Sequence, residues 1–243
     1  MSAELALLWA GAFLAGFVNG FAGFGTALFA LGWWLQIMPP VEAVALSLAA
    51  GCLTGVPGLH VIWRRIEPQL LARFAAPALL GIPLGSAALA FVEARTLMLL
   101  TAALLIAYGA FFSVRTKLPS IGGDRPRLDA VIGFAGGLLG GMAGLSGVLP
   151  AIWVSLRDWD KGRARGLLQP FNTLILSTAI IGVAWQGGYT PAALWNLLLA
   201  LPAMGAGVVG GIVLYRRVSD AFFRRALIVL LLLSGFALLV QAV

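Results

Sequence analysis

Residues 19–26 read Asn-Gly-Phe-Ala-Gly-Phe-Gly-Thr, and residues 140–147 read Gly-Gly-Met-Ala-Gly-Leu-Ser-Gly. The two stretches begin 121 positions apart, and each lies in the middle of a long apolar segment. At this offset small residues coincide in and around both stretches: Gly16 with Gly137, Gly20 with Gly141, Ala22 with Ala143, and Gly23 with Gly144. The sequence therefore predicts an internal repeat in which each copy contains a glycine-broken apolar segment.

The composition is that of a membrane protein. Of 243 residues, 61% are hydrophobic and 10% are charged, whereas roughly a quarter of the residues of a soluble domain are charged. This balance predicts a polytopic protein surrounded by the lipid bilayer. We attribute the net charge of +7 to loop Lys and Arg that face the anionic inner leaflet, and we expect no nucleic-acid partner. The single cysteine, Cys52, excludes an intrachain disulfide and a CxxC motif.

Eight apolar segments follow one another along the chain, at residues 5–38, 40–63, 74–92, 96–113, 128–155, 166–186, 191–214 and 226–243. Six of them have the ordinary length of a membrane-spanning helix, about 20 residues. The first and the fifth are different, because glycines divide each of them in two. Each half of the first has ~15 residues, about 22 Å, which is too short to cross comfortably. Such a segment either crosses once as a kinked helix or enters and leaves on one side as a re-entrant hairpin.

The distribution of the 16 Lys and Arg residues favours the hairpins. With single crossings, seven of these charges fall on one side of the membrane and nine on the other. With two hairpins, Arg95 stands alone on one side and the other 15 share the opposite side, as the positive-inside rule requires. The sequence thus predicts periplasmic termini and cytoplasmic residues 64–73, 115–127, 157–165 and 216–225.

The repeat extends beyond the hairpins. Three positions match at an offset of 125 and one at 126, pairing Pro77, Gly81 and Gly85 with Pro202, Ala206 and Gly210, and Gly109 with Gly235. Each half then has one hairpin and three spanning helices, and an odd number of crossings inverts the second half. We predict an all-α polytopic membrane protein of two inverted repeats, 1–114 and 128–243, joined by a cytoplasmic linker at 115–127.

Matched, broken membrane segments indicate a transporter's binding site. A backbone that leaves the helix at membrane depth exposes N–H groups that lipid cannot satisfy. The second arm of each hairpin begins at the tip, so the positive ends of two helix dipoles converge and attract an anion. We predict that a small-molecule anion is bound by Asn19, Gly23, Phe24, Gly25, Thr26, Gly144, Leu145, Ser146, Gly147, Gln169, Asn172 and Thr173.

Two further observations concern the residues of this predicted site. Gly, Ser and Thr also serve close helix packing in membranes, so each residue has a purely structural alternative. Gln169 and Asn172 flank Pro170, which predicts a further interruption early in the sixth segment, with both amides on one helical face.

Few ionisable residues lie within the apolar segments, and this limits the kinds of proton transfer, anion binding and catalysis that the protein could perform. All nine acidic residues lie at termini, loops or helix ends, which gives no carboxylate proton relay. We place no Lys or Arg at membrane depth, so we expect neutral donors to bind the anion. One His and one Cys offer no catalytic set, and we predict a protein that is not an enzyme and has no cofactor or metal.

Residues 16–25, Gly-Phe-Val-Asn-Gly-Phe-Ala-Gly-Phe-Gly, and their second copy at 136–147 resemble the TauE/SafE sulfite exporter family. The resemblance covers nearly the whole chain and includes the Arg-bearing loop before the second broken segment. It implies transport of sulfite, sulfonates, sulfoacetate or related sulfur oxyanions across the bacterial inner membrane.

Export is the favoured direction, because the inside-negative potential drives an anion outward by ~2.3 kcal/mol per charge per 100 mV. An uptake permease coupled to protons or cations is the first alternative. An anion channel and a non-transporting membrane assembly subunit are the others. The exact anion, the coupling ion, the oligomeric state and the role of Cys52 stay open at this point.

Overall fold

The computed structural model of the protein describes residues 3–88, 94–113, 121–185 and 187–242. All regular structure within these ranges is helical. Residue 114, residues 115–120 of the predicted linker, the end of the predicted segment 74–92 and both chain ends lie outside the described residues. The described helices are α1 (Ala3–Ala22), α2 (Thr26–Trp34), α3 (Pro40–Ile62), α4 (Pro68–Ala88), α5 (Ala94–Ser113), α6 (Pro126–Ala143), α7 (Val148–Ser155), α8 (Lys161–Trp185), α9 (Pro191–Arg217) and α10 (Asp220–Ala242).

Several helices are longer than the apolar segments that predict them. Helix α8 begins at Lys161 rather than at 166, and α9 continues to Arg217, because a helical backbone can continue past the end of its apolar part. The predicted interruption at Pro170 is wrong, since α8 runs unbroken through it. Proline removes only one backbone hydrogen bond there, the one its missing N–H would make.

Glycines break the two long apolar segments at three positions. Gly23, Gly25 and Gly144 have φ of +86°, +93° and +68°, a left-handed conformation that only glycine adopts readily. The expected arms of about 15 residues are wrong for the first segment, because α1 has 20 residues and α2 has nine. Gly20 stays helical, so the break comes later than the glycine pattern suggests, and α1 reaches ~30 Å.

Each short second arm folds back along the arm before it. The indole Nε1 of Trp34, at the end of α2, donates a hydrogen bond of 3.2 Å to the carbonyl of Leu8 in α1. In the other half, Nε1 of Trp153 in α7 donates to a carboxylate oxygen of Asp129 in α6 at 2.8 Å. Both breaks therefore form helical hairpins, α1–α2 and α6–α7.

The long arm of each hairpin packs directly against a helix of the other half. A methyl carbon placed on Gly16 of α1 would lie 2.3 Å from the carbonyl oxygen of Met204 in α9. On Gly137 of α6 it would lie 2.1 Å from the carbonyl oxygen of Ala78 in α4. Both long arms thus touch their partners through backbone, which only small residues permit.

Glycines of α4 and α9 face these long arms at equivalent positions in the two halves. A methyl carbon on Gly81 would lie 2.4 Å from the carbonyl oxygen of Phe134, and one on Gly207 would lie 2.2 Å from that of Phe13. Gly207 is thus the counterpart of Gly81, at an offset of 126 instead of the predicted 125. The sequence alignment pairs Gly81 with Ala206, because Pro77 and Pro202 suggest the wrong register.

Two further helix pairs join the halves. Helix α3 packs on α8, where Gly51 faces Leu176, and α5 packs on α10, where Gly109 faces Leu232. The four pairings are α1–α9, α4–α6, α3–α8 and α5–α10. When each of the first five helices is exchanged with the helix five places later, α1–α9 becomes α6–α4, and the other two pairings map onto themselves.

Large apolar side chains cover the outside of the bundle. Trp185 is 88% exposed, Leu80 68% and Val209 62%, an arrangement that is unfavourable in water and fits a lipid surrounding. Among the described residues, four helical stretches are long and apolar enough to cross a membrane, namely Ala3–Ala22, Val41–Arg65, Lys161–Trp185 and Pro191–Arg217.

Basic residues gather at one end of the bundle. This is the end where α3, α7 and α9 finish and where α4, α6, α8 and α10 begin. Interactions there join the loops to one another, as between Arg73 and Asp124 at 2.6 Å and between Arg163 and Glu67 at 2.8 Å. Of the Lys and Arg in the described ranges, Arg95 in the first turn of α5 is the exception.

We expect Gly207→Val to destabilise the protein, because its Cβ would overlap the backbone of Phe13. Overpacking of this kind costs roughly 1–3 kcal/mol or more. The matched control is Gly205→Val in the same helix, where nothing lies within 4 Å. Thermal unfolding in detergent should show a lower midpoint for Gly207→Val alone. Equal midpoints for the two variants would contradict the close helix contact.

Candidate functional site

The tips of the two hairpins meet inside the bundle. We call residues 23–26 the first tip and residues 144–147 the second tip. A methyl carbon on Gly147 would lie 2.7 Å from Cβ of Phe24, so the second tip needs glycine at this contact. Between the tips lies a small cavity, lined by Phe24, Gly25, Thr26, Ala27, Leu28, Gly144, Leu145, Gly147, Val148, Asn172 and Leu176.

This cavity has a volume of about 10 Å³. That is about the space that one water molecule requires. An oxyanion with three or four oxygens does not fit between the tips in this conformation, so the structure is a closed arrangement of the two hairpins.

A buried network of side-chain amides holds the first tip. Nδ2 of Asn19 donates to Oγ1 of Thr26 at 2.8 Å and to the carbonyl of Gly51 at 3.3 Å. Nε2 of Gln169 donates to Oδ1 of Asn19 at 2.8 Å. Asn19, Thr26 and Gln169 are each at most 1% exposed, so three helices are tied to the start of α2.

An arginine extends this network, and the sequence reasoning missed it. Nε and Nη2 of Arg165 donate to Oε1 of Gln169 at 3.3 and 3.2 Å. The guanidinium lies 4.4 Å from the ring centre of Tyr215, and the side chain is fully buried. Nη1 has no hydrogen-bond partner, and among the described residues no carboxylate forms a salt bridge with Arg165.

The expectation of no Lys or Arg at membrane depth overlooked Arg165, which belongs to this buried network. The error follows from starting the sixth segment at 166, which assigned Arg165 to a loop. The signal was present in the sequence, because Arg165 precedes Gln169 by four residues and so shares its helical face.

The second tip has its own polar pair. Oγ of Ser146 donates to Oδ1 of Asn172 at 2.9 Å. The amide nitrogen Nδ2 of Asn172 has no partner, although the residue is only 3% exposed and lines the cavity. A buried donor without an acceptor costs about 1–3 kcal/mol, which makes Asn172 the most conspicuous unsatisfied group at the tips.

The twelve predicted residues fall into three groups. Seven of them line the cavity: Phe24, Gly25, Thr26, Gly144, Leu145, Gly147 and Asn172. Four support those residues without lining the cavity: Asn19, Gly23, Ser146 and Gln169. Thr173 stands apart, since its hydroxyl donates to the carbonyl of Gln169 at 2.9 Å and its side chain faces Gly55.

Both short arms begin at this cavity without a capping side chain. The residue before α2 is Gly25 and the residue before α7 is Gly147, and neither cap makes a side-chain hydrogen bond. The first amide N–H groups of a helix have no acceptor within the helix, and they carry the positive end of its dipole. Both helix starts therefore place backbone N–H groups beside the space between the tips, although the N–H of Val148, the first in α7, already donates to the carbonyl of Leu145 at 3.3 Å.

Ionisable groups outside the helices lie away from the tips. Burial raises the pKa of Tyr189, in the loop before α9, to about 12. A hydrogen bond from Arg73 lowers the pKa of Asp124. In the part of the chain that the structure describes, no group of three or more His, Cys, Asp or Glu residues could hold a metal ion.

An apolar helical bundle in which two broken helices meet around unsatisfied donors has the architecture of a secondary transporter. The chain belongs to the sulfite exporter TauE/SafE family, whose sequence model matches residues 8–238. The resemblance predicted from the glycine motifs is thereby confirmed, and so is a multi-pass membrane protein of a transporter family. Comparisons with curated proteins and with solved structures give no match.

Proposed function

We propose that this protein exports a small sulfur oxyanion across the bacterial inner membrane and binds it between the two hairpin tips. The observation that carries the proposal is the unpartnered Nδ2 of Asn172, buried in the wall of the cavity between the tips. A donor in that position is satisfied when an oxyanion enters.

The donors around the cavity suit an anion. The amide of Asn172 and the first N–H groups of α2 and α7 supply hydrogen bonds. Arg165 contributes a positive charge through Gln169 and Asn19, and that charge has no carboxylate partner among the described residues. Gly25 stands in the first tip where Ser146 stands in the second, so the anion lies off centre, toward α8.

The two halves are inverted repeats in this proposal, as the exchange-symmetric helix pairing supports. Alternating access then requires the tips to part, because about 10 Å³ of space holds no sulfite. Movement of one hairpin relative to the other would open the site to one side of the membrane at a time.

The basic end of the bundle faces the cytoplasm in this proposal. The positive-inside rule supports that orientation, and it leaves both termini in the periplasm. The membrane potential then drives the anion outward, and the tips contain no carboxylate that could carry a coupling proton.

We expect sulfite to leave proteoliposomes in a saturable manner when the interior is made negative. Asn172→Ala should weaken the apparent affinity about 10- to 100-fold, because a hydrogen bond to a charged group contributes about 1.5–3 kcal/mol. The matched control is Ser234→Ala, a buried residue of α10 whose hydroxyl bonds only its own helix, and it should leave the affinity unchanged.

Other results would favour the alternatives. Flux that requires an imposed proton or cation gradient favours an uptake permease, and no flux of any sulfur oxyanion favours an assembly subunit. Equal affinities in wild type and Asn172→Ala would remove the anion from the tips.

We expect a disulfide between the tips to stop transport. On a Cys52→Ser background, Phe24→Cys with Gly147→Cys brings two Cβ atoms within disulfide range after a shift of about 1 Å. Oxidation should abolish sulfite flux and reduction should restore it. Phe24→Cys alone, oxidised in the same way, is the control, because a side chain at Gly147 would overlap Phe24 in the other single variant. Full flux through the cross-linked protein would show that the tips need not separate.

We expect Gly122 and Ser219 to face the cytoplasm and Ala192 the periplasm. Single cysteines at these positions, on a Cys52→Ser background, can be probed with a membrane-impermeant maleimide. Ala192→Cys should react in intact cells, and the other two only after the inner membrane is permeabilised. Reaction of Gly122→Cys in intact cells would reverse the orientation.

A further inference from the structure

A second, larger cavity lies at the basic end of the bundle. Its volume is about 430 Å³, within the range of small-molecule sites. The inter-repeat linker, the start of α4 and the loop between α7 and α8 enclose it, with the lining residues Glu67, Gln69, Leu70, Arg73, Ile121, Gly122, Gly123, Asp124, Arg157, Asp158, Trp159 and Arg163. It shares no lining residue with the cavity between the tips.

Every carboxylate that lines this cavity has an arginine partner. Glu67 pairs with Arg163 at 2.8 Å, and Asp124 with Arg73 at 2.6 Å. Asp158 lies 3.8 Å from Nη1 of Arg224. Each of these carboxylates thus has an arginine other than Arg157 within 4 Å. The pKa of Asp124 is lowered mainly by its hydrogen bond from Arg73, and the charge of Arg157 adds to this effect.

Arg157 is the lining cation that forms no salt bridge among the described residues. Its Nη2 donates to the carbonyl of Gly123, whereas Nε and Nη1 have no hydrogen-bond partner. The residue is only 4% exposed. Its guanidinium lies 5.2 Å from the ring centres of both Trp153 and Trp159, which fix its position without neutralising its charge.

We propose that this cavity binds an oxyanion of the phosphate or sulfate class on Arg157. A buried guanidinium with two unused donors is costly unless an anion accepts its hydrogen bonds, and hydrogen bonds from a guanidinium to an oxyanion are among the strong, charge-assisted ones. The group can be a free inorganic anion or the phosphate of an anionic phospholipid. This site is independent of the proposed transport site.

The position of Arg157 gives the bound anion a structural role. Arg157 comes two residues after the end of α7, the short arm of the second hairpin, and its Nη2 contacts Gly123 of the linker between the halves. An oxyanion held there adds a contact between the end of that hairpin and the wall of the cavity.

Calorimetric titration of the full-length protein in a neutral detergent tests the site. Titrations with inorganic phosphate use the Asn172→Ala variant, in which we expect binding at the tips to be weakened. We expect saturable binding that Arg157→Gln weakens about tenfold or more. The charge-matched control is Arg217→Gln, an exposed position at the same end, which should change the affinity by less than about twofold.

A second variant keeps the test valid if Arg157→Gln does not fold. Gln69 lines the cavity and is exposed, so Gln69→Glu adds a competing carboxylate without disturbing the core and should also weaken phosphate binding. A soluble short-chain phosphatidylglycerol distinguishes the two sources. Tighter binding than phosphate assigns the site to a lipid headgroup, and weaker binding assigns it to a free oxyanion. No saturable binding of either ligand, or binding that neither variant changes, would overturn the proposal.

Discussion

Direct backbone contact between α1 and α9, and between α4 and α6, is the constraint on which the rest of the structure depends. In lipid, helices gain little from burying apolar side chains, so close packing supplies much of the association energy. Gly16 and Gly137 have no side chain, so the backbone of each long arm contacts the backbone carbonyl of its partner helix directly. Because both long arms are fixed in this way, the glycine breaks that follow them are brought to the same place inside the bundle.

The helix pairings are symmetric between the two halves, but the polar side chains at the two tips are not. Helix α8 supplies polar side chains to both tips, Gln169 at the first and Asn172 at the second. The charge also comes from α8, because Arg165 lies one turn before Gln169. Two hairpins with a matching arrangement of helices thus meet an unmatched set of polar groups, and in the proposed function this difference gives the bound anion one preferred orientation.

The sequence predicts the helices, the two breaks and the meeting of the tips, because glycine spacing and hydropathy are local properties. It does not predict Arg165, since a hydropathy boundary cannot tell where a helix begins beyond its apolar part. The sequence also does not predict that Gly207 is the counterpart of Gly81. That match is recognised from the contacts of each glycine with a helix of the other half, and an alignment of the two repeats does not include such contacts. The sequence identifies Asn172 as a candidate. It does not predict that Ser146 bonds only the amide oxygen of Asn172 and leaves the amide nitrogen without a partner.

The four pairings that organise the bundle, α1–α9, α4–α6, α3–α8 and α5–α10, all join one half of the chain to the other. Neither half is therefore a folding unit on its own. During synthesis, the glycine faces of α1 and α4 stay uncovered until α9 and α6 enter the membrane, so the insertion machinery or lipid must shield them for that interval. If the halves are the inverted repeats that we propose, a half-length chain would cover the same faces with a second copy inserted in the opposite orientation.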